Sequence, residues 1–416
     1  PVIYAENDWD VYFMQGYLSA KWRIFQMDFI TRFAAGRLAE IIGPKAVDLD
    51  RKQRFLGLSH AAEIALNAFE QDSLSKLAMD AYTAGVNTWL SQVADKDLPL
   101  ECKLLQYKPA PWSNFKSALL LKYMADLLTG SVHDIQVQNT LSDFGPEFVG
   151  QWFPDYNPNP NASIDPQKLG PTSIPDSLKA KDPFSSYLNK ITNFEDPIDG
   201  LGSNNWVLDG SRTATGKPLL ANDPHLRLSL PSIWMEMHLV VQGRPVYGVT
   251  LPGAPGIIIG MNDAVAWGVT NGTVDVKDYL AVMLTSQHPE LWSGRDVKLT
   301  DRFGRDSTIA KNSYFSGQGW ESLSYRKETI DIKGAPSQSF LIPYTKFGPL
   351  LRETVKNQHG ENLRLTFQWT GFEPSNELRS FLLLNKATNV EECLMALSTF
   401  KCPAQNFVFA DTAGEI

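Results

Sequence analysis

The sequence predicts an α+β protein in which a helical segment precedes a strand-rich one. Three observations carry this expectation. Apolar residues recur at helical spacing within residues 1–153. From residue 203 to 416 they fall in short runs broken by Gly, Pro and Asn-Asp turns. Between them, residues 154–202 show little periodicity and are rich in Pro, Asn, Ser and Asp.

In the first segment, Ala61, Ile64, Ala65, Ala68, Leu74, Leu77 and Ala78 recur near helical spacing. Leu119, Leu120, Tyr123, Met124, Leu127 and Leu128 mark a second helical stretch. Trp112-Ser113 reads as a helix start, with Ser113 as its cap. The middle segment reads as a linker. Its helix-like piece, Ser185 to Ile191, could plug a cleft before removal. In the last segment the strand candidates are Val207, Leu219-Leu220, Met237 to Val241, Val246 to Leu251, Ile257 to Ile259 and Ala264 to Val269. There is no internal repeat and no low-complexity tract.

Composition excludes several roles. The chain has 416 residues, 43% hydrophobic and 20% charged, enough for a large core and too long for one typical domain. Its net charge is −8 and no Lys/Arg cluster stands out, which argues against nucleic acid or an anionic membrane as partner. No apolar run reaches about 18 residues, so no spanning helix is expected. The three cysteines, Cys102, Cys393 and Cys402, cannot build a disulfide framework. Cys393 and Cys402 could pair or remain two buried thiols.

Gly202-Ser203 is the most informative point. A flexible Gly precedes a Ser, an amide pair follows in Asn204 and Asn205, and then a strand-like Trp206-Val207-Leu208. A Ser that begins a strand directly after a long loop suits a chain cut that leaves Ser203 as a new N-terminus. Hydroxyl and α-amine, nucleophile and base, then stand on one residue. The α-amine has an unperturbed pKa of about 7.7–8.0, near the range useful for general-base work.

Six blocks in order resemble the penicillin acylase family of N-terminal-nucleophile hydrolases. They are Tyr12 to Ala20 with Arg23, Gln26-Met27, Arg32 and Gly36 to Glu40; Ser203-Asn204-Asn205-Trp206; Asn222-Asp223-Pro224-His225; Asn262 with Trp267 to Gly272; Asp275-Val276-Lys277-Asp278; and Gln405 to Asp411. The resemblance covers nearly the whole chain. It implies a four-layer αββα sandwich, with residues 1–153 as the helical first chain, 154–202 as a spacer propeptide and 203–416 as the N-terminal part of the second chain. It implies self-cleavage between Gly202 and Ser203, a heterodimer of the two resulting chains, and a periplasmic or secreted location. Pro1 already stands in family sequence, so a signal peptide is expected outside this chain. The Glu415-Ile416 end falls within a family motif, so the chain reads as truncated or as a fragment.

By the same resemblance the catalytic set is Ser203 as nucleophile, the backbone N–H of Asn271 and the side-chain amide of Asn406 as oxyanion donors, and His225. Family members carry His or Gln at the last position, to orient the α-amine and a bridging water. Asn271 in Thr-Asn-Gly reads as a turn that aims its N–H inward. A Ca²⁺ site is implied at Asp275, Asp278 and the carbonyl of Lys277, since Ca²⁺ takes six to eight oxygens from carboxylates and carbonyls. Asp134 matches the acidic ligand of the first chain, so Asp134 and Asp278 would clamp the two chains together. Pro374 and Asp411 are further candidates. No organic cofactor is expected.

The acyl pocket departs from the phenylacetyl-specific members. Met124 stays, but Leu128, Leu226 and Ile259 stand where those carry aromatic rings, with Val269 beside the catalytic strand. Aliphatic walls remove ring contacts and favour a flexible or aliphatic acyl group. The family's catalytic Arg after the Asn406 motif is expected beyond Ile416. The reading is an acylase that hydrolyses the amide bond of an N-acylated small molecule, penicillin-like or N-acyl-homoserine-lactone-like. The alternatives are an inactive acylase-like binding protein and a metal hydrolase built on Asp223, His225 and Asp275. The metal hydrolase lacks a ligand set of plausible spacing.

Overall fold

The computed structural model describes residues 1–129, 134–152, 203–226, 228–272, 274, 276–284, 297–300, 306–309, 312–356 and 362–416. Gly202, Asp275 and the helix-like piece of the linker lie outside them. The chain forms two compact units. One comprises Pro1–Ser131, Gly202–Thr354 and Arg364–Ile416, and the other Val132–Leu201 and Val355–Leu363. The helices up to Leu127 and most strands of the last segment therefore share one unit. The fold is α+β, as the sequence predicts.

A short strand, β1 (Val2–Ala5), leads into the long helix α1 (Asp8–Ala35). Asn7 starts α1 by accepting the Asp10 N–H at 2.9 Å. Gly36 ends it with φ 63°, a conformation that costs glycine little. After α2 (Ala39–Ile42), α3 (Val47–Leu56) and α4 (Leu58–Gln71) comes α5 (Ser73–Gln92), capped by Asp72. Helices α1 and α5 touch backbone to backbone. A Cβ on Gly16 would lie 2.1 Å from the Tyr82 carbonyl oxygen, and one on Gly85 would lie 1.9 Å from that of Phe13. Ala20, Ile24, Met27, Tyr82, Val86 and Trp112 form the core beside this crossing.

Beyond α6 (Leu100–Leu104), α7 (Asn114–Leu127) begins after Ser113. Ser113 holds the cap position, but its side chain makes no cap hydrogen bond. Leu77 and Leu127, expected on apolar faces, are exposed. The second unit contains α8 (Asp134–Phe144) and α9 (Pro146–Trp152).

In the first unit, the hairpin β2 (Ser203–Leu208) and β3 (Leu219–Pro224) precedes β4 (Met235–Val241), β5 (Arg244–Thr250), β6 (Ile259–Asn262) and β7 (Val265–Asn271). Gln242 and Gly243, both at positive φ, turn β4 into β5. Strand β8 (Lys277–Leu284) follows, then β9 (Val297–Thr300) and β10 (Asp306–Ile309). Next come β11 (Ser313–Phe315), β12 (Trp320–Ser322), β13 (Ser324–Ile332) and β14 (Ala335–Tyr344). The series closes with β15 (Leu350–Lys356), β16 (Asn362–Trp369), α10 (Glu377–Leu384), α11 (Val390–Ala396) and β17 (Gln405–Asp411).

Two sheets dominate. The first has the order β1-β4-β5-β6-β7-β17, and the second β12-β11-β8-β16-β15. Strand β1 joins the first sheet parallel to β4. The three cysteines are free and buried, which settles Cys393 and Cys402 as separate thiols. Among the described residues no helix is long and apolar enough to cross a membrane.

Candidate active site

Ser203 opens β2, and the hairpin register sets it opposite Pro224. The next residue along, His225, donates its backbone N–H to Ser203 Oγ at 3.3 Å. Its imidazole turns elsewhere. Nε2 lies 2.7 Å from Asp223 Oδ2, with both side chains partly in solvent. The contact of His225 with Ser203 thus belongs to its main chain and not to its ring.

Two amide side chains fix this hairpin to the six-stranded sheet. Asn222 Oδ1 accepts from the Val269 N–H at 2.8 Å, and Asn222 Nδ2 donates to the Val269 carbonyl at 3.1 Å. Asn205 Nδ2 donates to the Asn406 carbonyl at 3.3 Å. The approach is close enough to need Gly268, where a Cβ would lie 2.9 Å from that of Asn222.

Strand β7 pairs with β17, Asn271 opposite Gln405, and the Gly272 N–H donates to the Ala404 carbonyl at 3.0 Å. Hydrogen-bonding direction alternates along an antiparallel strand. Even-numbered residues here turn their backbone groups toward β17, and Val269 turns away toward Asn222. Asn271 is the next odd residue, so its N–H points away from β17 as well. Asn271 is the last residue of strand β7, where the sequence expectation had a turn.

The loop between β5 and β6 is held from three directions. Gln15, wholly buried on α1, donates to the Gly256 carbonyl at 3.0 Å and accepts the Gly256 N–H at 2.9 Å. Tyr82 Oη accepts the Gly253 N–H at 2.8 Å. Asn385 clasps both backbone groups of Ile257 at 2.8 Å each. This loop and its flanks supply Leu251, Ile258 and Ile259 to the wall of a cleft.

That cleft measures about 790 Å³, part of it open to solvent, and Ser203 and Asn271 line it. Met124, Leu128, Leu226, Ile259 and Val269 line it as well. Sequence reasoning missed Trp234, Phe381, Phe400, Gln405 and the charged Lys122 and Glu377, which also line it. They come from segments far apart in the chain, and apart from Gln405, which opens a motif block, they carry no local signal. Cys402 lines the cleft too, but burial pushes its thiol pKa up. A protonated thiol is a poor nucleophile.

Asn406 stands one residue beyond the lining residue Gln405. Its Nδ2 donates to Thr270 Oγ1 at 3.3 Å and to the Asn271 carbonyl at 3.5 Å. It is therefore beside Asn271 but not on the cleft wall.

Of the residues expected to hold Ca²⁺, Asp275 lies outside the described residues and the others stand as follows. Asp278 is exposed on β8 opposite Gln368. The Lys277 side chain pairs with Asp126 of α7 and lies 5.2 Å and 5.1 Å from the ring centroids of Phe367 and Trp369. Asp134 begins α8 of the second unit. Asp411 is engaged by the backbone around it. Its Oδ1 accepts the N–H groups of Gly414 and Glu415, both at 3.0 Å, and its Oδ2 that of Val390 at 3.3 Å. Among the described residues no three His, Cys, Asp or Glu gather as a metal site.

A family model described as penicillin amidase matches residues 1–416. The acyl-homoserine lactone acylase QuiP of Pseudomonas aeruginosa is 27% identical over 99% of this chain and 47% of its own length. The penicillin acylase 2 proenzyme of Pseudomonas sp. strain SE83 is 28% identical over 100% of this chain and 50% of its own. Among solved structures, a thermostable penicillin G acylase from Alcaligenes faecalis aligns with 24% identity and a TM-score of 0.40, covering 50% of this chain and 33% of that one. The chain spans about half the length of the curated relatives it matches.

Proposed function

The chain belongs to the penicillin amidase family, and on that premise we propose that it is the Ser203-bearing part of an acylase that hydrolyses the amide of an N-acylated small molecule. The observation that carries the reading is Ser203 itself. Its Oγ accepts the His225 N–H at 3.3 Å on the wall of a largely apolar cleft, which Asn271 also lines.

The steps follow from these groups. After cleavage at Gly202-Ser203, the Ser203 hydroxyl attacks the amide carbonyl carbon. Its proton passes to its own α-amine, through a water in the family scheme. The carbonyl oxygen becomes an oxyanion, which the Asn271 N–H and the Asn406 amide stabilise. The C–N bond breaks, the amine leaves with the proton, and an ester to Ser203 remains. Water then attacks the ester, releasing the carboxylic acid and restoring the hydroxyl. The orientation of the Asn271 N–H away from β17 supports its role. The Asn406 amide has to turn from Thr270 to act. Maturation uses the same hydroxyl but not the same base, since the α-nitrogen of Ser203 is still the Gly202 amide: the hydroxyl adds to the Gly202 carbonyl, its proton passes to the departing nitrogen as the C–N bond breaks in an N-to-O shift, and water hydrolyses the resulting ester.

The apolar walls favour an aliphatic acyl group. The amine side is left between the two classes the relatives' names print, penicillin and homoserine lactone. The reading includes a heterodimer of the two cleaved chains, a periplasmic or secreted location, and a structural Ca²⁺ at Asp134, Asp275, the Lys277 carbonyl and Asp278. An inactive binding protein is the second reading. The joint presence of Ser203, Asn271 and Asn406 speaks against it.

The test is N-terminal sequencing and intact mass of the protein, followed by a panel of N-acyl amides. A second chain starting at Ser203, absent in Ser203→Ala, is expected together with turnover. Another N-terminus in active protein would remove Ser203 as nucleophile.

A further inference from the structure

The cleft carries one ion pair that the reaction above does not use. Lys122 of α7 and Glu377 of α10 both line it. Their side chains are 2% and 7% exposed, and Nζ lies 3.7 Å from Oε2. Lys122 Nζ donates to Ser375 Oγ at 3.2 Å, and Glu377 Oε1 accepts the Cys402 N–H at 3.3 Å. An ammonium has three N–H donors. One is used on Ser375, and the carboxylate stands beyond hydrogen-bond length.

The rest of the cleft wall is mostly apolar, with Met124, Leu251, Ile258 and Phe381 among its residues. Burying two charges there carries a large desolvation cost, and apolar residues of similar size are often neutral or better for stability. Stability alone is thus a weak reason for the pair. A ligand oxygen would complete the donor set of Lys122. The charges of Lys122 and Glu377 sum to zero. A carboxylate entering the cleft would leave a net negative charge in an apolar site, whereas an oxo or hydroxyl group takes one N–H and adds none.

We propose that the Lys122–Glu377 pair determines specificity: Lys122 donates to an uncharged oxygen substituent on the acyl chain, and Glu377 keeps the site neutral so that carboxylate-bearing chains are disfavoured. This rests on the acylase reading above.

The experiment compares amides of one amine with acyl chains of equal length. The chains are plain alkyl, oxo- or hydroxyl-bearing with the oxygen moved along the chain, and carboxylate-terminated. The best oxygenated chain is expected to exceed the plain one in kcat/KM by on the order of tenfold to a hundredfold, the range for a hydrogen bond to a charged group. The carboxylate chain is expected to fall below both. Lys122→Met alone strands a buried carboxylate and would destabilise the fold. The decisive variant is therefore Lys122→Met with Glu377→Gln, which keeps an acceptor for the Cys402 N–H. Its preference is expected to drop to about one, whatever its absolute rate, and a purely structural pair would not move this ratio. Glu377→Gln alone should relieve the penalty on the carboxylate chain. An unchanged preference in the folded double variant, or a parent enzyme that favours the plain chain, overturns the proposal and leaves the acylase reading intact. Failure to cleave any amide in the set counts against the acylase reading. Calorimetric binding of the same amides to parent and double variant then decides the proposal by the same ratio.

Discussion

Asn222 does with one side chain what a neighbouring strand does with its backbone, satisfying both the N–H and the C=O of Val269. Asn222→Ala leaves both groups without that partner. A stranded buried polar group costs about 1–3 kcal/mol, so the melting temperature should fall. Because Asn222 also seats the hairpin that begins with Ser203, turnover should fall in protein that is still folded. Asn222→Asp keeps the acceptor and loses the donor, and should lie between. A variant with unchanged melting and turnover would show that the hairpin is held elsewhere. Asn406→Ala should lose about 10²–10³ in kcat with a smaller change in KM, because the contact strengthens as charge develops. Processing must be checked first, since cleavage builds a similar oxyanion. Near-normal kcat in the cleaved variant would make Asn406 a strand-edge amide. Ser203 and the Asn-Asp-Pro-His run were legible because the motif is contiguous. The use of the His225 backbone was not, because sequence displays side chains and hides main-chain direction. Lys122 and Glu377 were also invisible, since only the fold brings α7 and α10 to one cleft.

At the scale of elements, β4, β5 and β7 follow the apolar runs closely, since each run is bounded by turn residues, whereas β6 begins only at the last residue of the Ile257–Ile259 run, whose first two residues belong to the loop before it. Strand β1 escaped notice because four residues carry no period. Its pairing depends on β4, more than two hundred positions away. Asn271 was misplaced because Thr-Asn-Gly has turn composition, and the pairing with β17 overrides that local preference. The crossing of α1 and α5 has a sharper test. Each glycine meets backbone of the other helix, not a side chain that can swing aside. Gly16→Ala and Gly85→Ala should therefore push the helices apart. Overpacking costs typically 1–3 kcal/mol, occasionally more, although Ala has the better helix propensity by about 1 kcal/mol. Urea unfolding should show a lower midpoint for both variants. A midpoint at or above that of the parent would mean that the helices separate freely, and that the loop held by Gln15 and Tyr82 tolerates the shift.

At the scale of the whole molecule, the helices before residue 128 and the strands after residue 202, apart from the stretch Val355–Leu363, belong to one unit. Gln15 and Tyr82 bind the β5–β6 loop, and Arg326 on β13 grips Glu63 on α4 with two bonds of 2.7 Å. A cut between Gly202 and Ser203 would leave these contacts in place, so the two proposed chains should co-purify and separate only under denaturing conditions. The proposed Ca²⁺ adds a whole-molecule expectation. An ion that binds only the folded state stabilises it by mass action, by about 2.7 kcal/mol when free ion is a hundred times its Kd. Removing the ion with EDTA should therefore lower the melting temperature, and added Ca²⁺ should restore it. Mg²⁺ should restore it poorly, because it demands a smaller octahedral set. Asp278 is exposed on β8 and not part of the described core, so Asp278→Ala should cost little by itself. It should instead abolish the difference between EDTA and Ca²⁺ melting curves. If the parent protein melts identically with EDTA and with Ca²⁺, the ion has no structural role, and Asp278 is a solvated acidic residue at a strand start.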